Sequence, residues 1–147
     1  MNVEVNVRDR VLRPVAEVFA AIVDPARMSH YFITKGSGPM EAGATVEWEF
    51  TDVGRRLPVD VKEIEQDRRI VFEWTASGVR ARVTILLEPT DADTTRISIN
   101  EAGWPMDHEG MQRALGQTQG WTDFVCCMKA YLQYGINLRL GRTRKDH

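Results

Sequence analysis

An α+β domain is the fold class this sequence predicts: a curved antiparallel sheet wrapped around a long C-terminal helix, with two short helices after strand one. Three observations predict it. Between Val46 and Ile99, apolar residues alternate with polar ones in five runs, so each run has one dry face. The breaks between runs, TDVG, EQD, ASG and EPTDAD, are too short for parallel crossovers and join antiparallel neighbours. After Asp107 the period changes to that of a helix and holds to about Leu140.

The elements follow in order. Val3, Val5 and Val7 alternate with polar residues and make a first strand. Pro14 suits a first helical position, and Val15, Val18, Phe19 and Ile22 follow at helical spacing. Asp24-Pro25 restarts a second short helix with Asp24 as its N-cap. The stretch KGSGPMEAGA, rich in glycine, reads as loop. The five strands then carry Val46, Trp48 and Phe50; Leu57, Val59 and Val61; Ile70, Phe72 and Trp74; Val79 through Leu87; and Ile97 with Ile99. In the tail, Trp121, Phe124, Val125, Met128, Leu132 and Ile136 share one helical face. Gly116 and Gly120 mark an expected bend or weak point. A helix of about 30 residues is a rod of roughly 45 Å, long enough for a twisted sheet to curl around it. Residues 1–147 are read as a single domain.

Composition narrows the function. The net charge of −2 supplies no field for nucleic acid or acidic membranes. No apolar run serves as a signal peptide or approaches a membrane span, so no membrane partner is expected. Cys126 and Cys127 are adjacent and read as reduced thiols in a cytoplasmic protein. His30, His108 and His147 lack metal-ligand spacing, and nucleotide-binding and nucleophile motifs are missing, so neither metal nor cofactor is expected. Arg80 and Arg82 fall on the sheet's outer face, and Lys129 lies at the edge of the helical stripe with its charge in water or against an acid. Arg139, Arg142 and Arg144 are explained by the dipole of the helix end.

One letter breaks the pattern. Glu101 stands where the Ile97–Ile99 run asks for a third apolar residue. Two readings remain: the strand continues and Glu101 points inward, or it ends at Asn100 and Glu101 turns to solvent. A sheet curled around a rod easily leaves a hollow. The four tryptophans, Trp48, Trp74, Trp104 and Trp121, all lie on or beside inward faces. With Phe32, Met111 and Glu101 they form the expected ligand-binding set, an apolar lining with one polar anchor.

The segments RPVAEVFAAIVDPARMSHYF, MEAGATVEWEF, VDVKEIEQDRRIVFEW, TRISINEAGW and GWTDFVCCMKAYLQYG cover nearly the whole chain. In that order they resemble the activator of heat-shock protein 90 ATPase homologue-like family, within the START-like or helix-grip superfamily of polyketide cyclases and birch-pollen-allergen-like proteins. The resemblance implies a central cavity for small hydrophobic molecules and a link to stress response, but not one chemistry. The co-chaperone that gives the family its name has an additional N-terminal domain, whereas one helix-grip unit is read here. The first expectation is therefore a binder of a small hydrophobic or aromatic ligand, monomeric or homodimeric. Second is a co-chaperone-like partner of heat-shock protein 90 that stimulates its ATPase. Third is a cyclase or dehydratase with Glu101 as general base.

Overall fold

In the computed structural model, residues 2–142 are described. The alternating valines form β1 (Asn2–Val11), and Pro14 leads into α1 (Val15–Val23). The Asp24 carboxylate accepts the Ala26 amide at 2.9 Å and, with Pro25 at the first position, starts α2 (Pro25–Met28). Four of the five expected runs become β3 (Thr45–Phe50), β4 (Arg55–Glu65), β5 (Arg69–Trp74) and β6 (Ala81–Asp91). The fifth is β7 (Thr94–Pro105).

All strands join one antiparallel sheet in the order β1-β7-β6-β5-β4-β3-β2. The loop expectation for KGSGPMEAGA is corrected at its start, because Lys35–Gly36 forms a short edge strand, β2, opposite Glu49 and Trp48. Backbone bonds on either side, Thr34 N to Glu49 O and Ser37 N to Glu47 O, hold it there despite the glycines.

The last element is α3 (His108–Tyr134), capped by Asp107, whose side chain accepts the Gly110 amide at 2.7 Å. The helix runs through Gly116 and Gly120 without interruption, and a Cβ at either glycine would meet open space. It also ends short of Leu140. Gly135, with φ 67°, takes the left-handed conformation that stops a helix, and Ile136 beyond it is half-exposed. Ala114, Trp121, Phe124, Val125 and Met128 are buried, and α3 packs chiefly on β1 and β7.

The residues after α3 find partners other than its dipole. Arg139 bonds Asp52 at 2.6 Å and Asp123 at 3.4 Å, and Arg142 grips Asp123 at 2.9 and 3.1 Å. The Arg142 guanidinium, opposed by partial burial and aided by Arg139, holds the Asp123 carboxyl below its ordinary range. Lys129 pairs with Asp9 of β1 at 3.1 Å. Arg80 bonds both Asp60 and Glu73 on the outer face of the sheet. Arg144 and His147 lie outside the described residues. No described helix is long and apolar enough to cross a membrane.

Candidate functional site

Strand β7 answers the question raised by Glu101. It continues to Pro105, and Thr95, Ile97, Ile99 and Glu101 are all buried on one face. Glu101 is 0% exposed. Glu101 and Trp104 are three residues apart and would face opposite sides of a regular strand. Both are nevertheless buried, because the pairing with β1 slips here: Glu4 opposes Ala102 and Val3 opposes Trp104. Gly103 is the extra residue, a bulge with φ 152°. A side chain there would meet the Arg80 carbonyl at 2.8 Å.

A buried carboxylate needs donors, since desolvating it alone is strongly unfavourable. Three neutral N–H groups supply them. The Trp74 indole donates to Oε2 at 2.7 Å. The Trp121 indole and the Gln117 amide donate to Oε1 at 2.8 and 2.9 Å. Gln117 and Trp121 are four apart on α3 and so share a face. The carboxylate thereby ties β5, β7 and α3 together. Around it, Trp48, Phe72 and Trp74 meet edge to face with centroids 5.3–5.8 Å apart. Phe32 contacts Phe50 and Phe124 in the same manner at 5.1 and 4.8 Å. Tyr31, fully buried beside them, donates its hydroxyl to the Ala21 carbonyl at 2.8 Å, and burial pushes its phenol well above the ordinary range.

Where this aromatic cluster reaches the open end of the sheet, a cleft of about 150 Å³ remains between sheet and helix. Phe32, Phe50, Leu57, Trp74 and Trp121 form its apolar walls, and Gly120 leaves the helix side open. Arg55 and Val53 stand at its exposed rim, with Ala76 and Gln117 completing the lining. A larger, shallow groove of about 700 Å³ lies between Ser29, Asp52 and the tail. The charged groups on its wall, Asp52, Arg139 and Arg142, are already engaged in ion pairs.

Of the residues singled out from sequence, Phe32, Trp74 and Trp121 line the cleft. Glu101 and Trp48 are buried in the cluster but are not part of its lining. Trp104 is buried apart from it, with its indole on the Ser77 carbonyl at 3.1 Å, and Met111 is half-exposed. Sequence reasoning missed Gln117, Gly120 and Arg55. The first was legible four residues before Trp121, and the last from its phase: Arg55, Leu57, Val59 and Val61 alternate along β4. Among the described residues no group of three or more His, Cys, Asp or Glu gathers as a metal site would.

The family model described as Activator of Hsp90 ATPase homolog 1-like protein matches residues 13–133. The chain belongs to this family. No curated protein matches it in sequence. Among solved structures it is similar to the protein SSP2350 from Staphylococcus saprophyticus, with 26% identity and TM-score 0.81 over 93% of this chain and 96% of that one. DynU16, from the dynemicin biosynthetic locus, shares 27% identity and TM-score 0.80; the match covers 91% of this chain but only 48% of DynU16. The Aha1 dimer from Colwellia psychrerythraea, 16% identical with TM-score 0.78 over 90% of this chain and 98% of that one, shows the same fold. In this member of the Activator of Hsp90 ATPase homolog 1-like family, the helix-grip arrangement brings Trp74, Glu101, Gln117 and Trp121 together beside the cleft.

Proposed function

We propose that the protein binds a small apolar or aromatic molecule in the cleft between the sheet and α3. The observation that carries this reading is the aromatic-walled opening of about 150 Å³ beside the buried aromatic cluster. An engineered apolar cavity of about 150 Å³ takes up benzene, whereas drug-sized ligands occupy roughly 300–1,000 Å³. The guest is therefore about one ring in bulk. Phe32, Trp74 and Trp121 are its walls. Glu101 anchors it indirectly: its carboxylate accepts from the Gln117 amide nitrogen, which leaves the amide oxygen as a polar contact for the guest. Both cysteines are free, in keeping with a cytoplasmic setting.

Gly120 offers a test that spares the fold, because a side chain there projects into open space. Gly120→Leu should abolish binding of a one-ring probe, read by quenching of tryptophan fluorescence, while the thermal midpoint is unchanged or higher. Unaltered probe affinity in that variant removes the cleft as the binding site.

The family match supports a second reading, an interaction with an Hsp90-type chaperone. It is tested by adding the protein to the chaperone and measuring ATP turnover, which Gly120→Leu should leave unaffected. An enzymatic role for Glu101 fits less well, since three donors already engage its oxygens.

A further inference from the structure

The chemical class of the guest can be narrowed from Arg55; this step rests on the cleft reading above. In β4 the inward phase runs Arg55, Leu57, Val59, Val61, and the last three are buried. Arg55 opposes Phe50, itself a wall of the cleft. A guanidinium thus occupies a position where the strand's own alternation asks for an apolar side chain. Its neighbour Arg56, in the outward phase, is paired with Glu47 and Glu49. Arg80 pairs with Asp60 and Glu73, and Arg139 with Asp52 and Asp123. Arg55 makes no ion pair among the described residues. One nitrogen, Nη2, donates to the Ala76 carbonyl at 2.9 Å across the rim, which holds the planar head in place. The remaining donors of the fork are then available to an acceptor at the mouth.

We propose that the ligand is an amphiphilic anion, a one-ring or similarly bulky carboxylate, whose apolar body fills the cleft and whose carboxylate meets Arg55. The two halves of the site demand the two halves of such a molecule. Five apolar walls accept the ring, and a rim arginine that pairs with no carboxylate among the described residues meets the charge. An amine is the wrong sign for that rim. The one buried acid nearby, Glu101, already has its oxygens engaged by Trp74, Trp121 and Gln117. A molecule with several fused rings exceeds the available volume.

Phenylacetate, phenylacetamide and phenethylamine share one ring and differ in charge, so titrating each against the whole chain by calorimetry separates the contributions. Phenylacetate should bind roughly three- to tenfold more tightly than phenylacetamide, a range set by a charge-assisted contact that is partly exposed. That preference should shrink in high salt and vanish in Arg55→Met, where acid and amide should bind alike, with an unchanged thermal midpoint as the check that the fold is intact. Arg55→Lys should restore part of it. Equal affinity for acid and amide, a preference that survives Arg55→Met, or tightest binding of the amine each overturns the anion assignment and leaves the cleft standing. No binding of any of the three removes the cleft reading, and this inference with it.

Discussion

The two ends of the core are built from the same sheet and helix but by different rules. Toward α1, the space is filled by Val5, Val11, Val18, Ile22, Ile85, Ile97 and Ile99, all nearly or fully buried. Toward the β3–β5 end it is filled by Phe32, Trp48, Phe72, Trp74, Trp121 and Phe124 around one carboxylate. Branched aliphatic side chains interdigitate to crystal-like density. Rings pinned edge to face and tied by indole hydrogen bonds cannot flow into a residual gap, and that end is where the cleft remains. The aliphatic end specifies the fold, while the aromatic end stabilises an opening.

Replacing Glu101 is the sharpest way to break this contrast. Glu101→Leu leaves two indole N–H groups buried without acceptors and should destabilise by about 3–5 kcal/mol in urea unfolding. Adding Trp74→Phe and Trp121→Phe should recover part of the loss by removing the orphaned donors. A loss under about 1 kcal/mol in Glu101→Leu would mean that the hydrogen-bonded hub does not organise the aromatic end. Next in size is Ile99→Ala, expected to lose roughly 2–4 kcal/mol by cavity formation. Phenylacetamide affinity should not change in that variant, because Ile99 belongs to the other end. Altered affinity would show that the two ends are coupled.

The smallest effect concerns the tail. Asp123 is held below the ordinary carboxylate value, first by its bond to Arg142. A group with a depressed folded pKa stabilises above its unfolded value, about 3.9, and loses that contribution as pH falls through the lower folded value. The tail should therefore stay protected from proteolysis at neutral pH and loosen only below about pH 4. Asp123→Asn should loosen it at every pH, with less than about 1 kcal/mol lost overall because the pair is partly exposed. A tail equally protected in that variant would show that Arg139 and Asp52 suffice to hold it.

Much of this fold was legible because period two and period 3.6 record burial directly. The strands carrying Val46–Phe50, Leu57–Val61 and Ile70–Trp74 stand where alternation put them. Three features were not legible for physical reasons. β2 is held by its neighbour's backbone, and no side-chain pattern records that. The stop at Gly135 depends on a left-handed backbone angle, while apolar residues continue at helical spacing beyond it. The placement of Trp104 depends on a phase slip at Gly103 that alternation alone does not encode. Within the site, the anomaly at Glu101 was visible, but its donors come from residues 16 to 27 positions away, and the partner of a buried acid cannot be read from its own strand.

The bulge at Gly103 reaches further than the strand that contains it. Pro105, two residues on, offers its carbonyl to the Asp107 amide, and Gly110 in the first turn of α3 lies against the same carbonyl. The helix is thus hung from the end of β7 at a height set by one surplus residue. Shortening the chain by that residue would turn Trp104 to water and reseat the whole rod, resizing the chamber without touching any side chain that lines it.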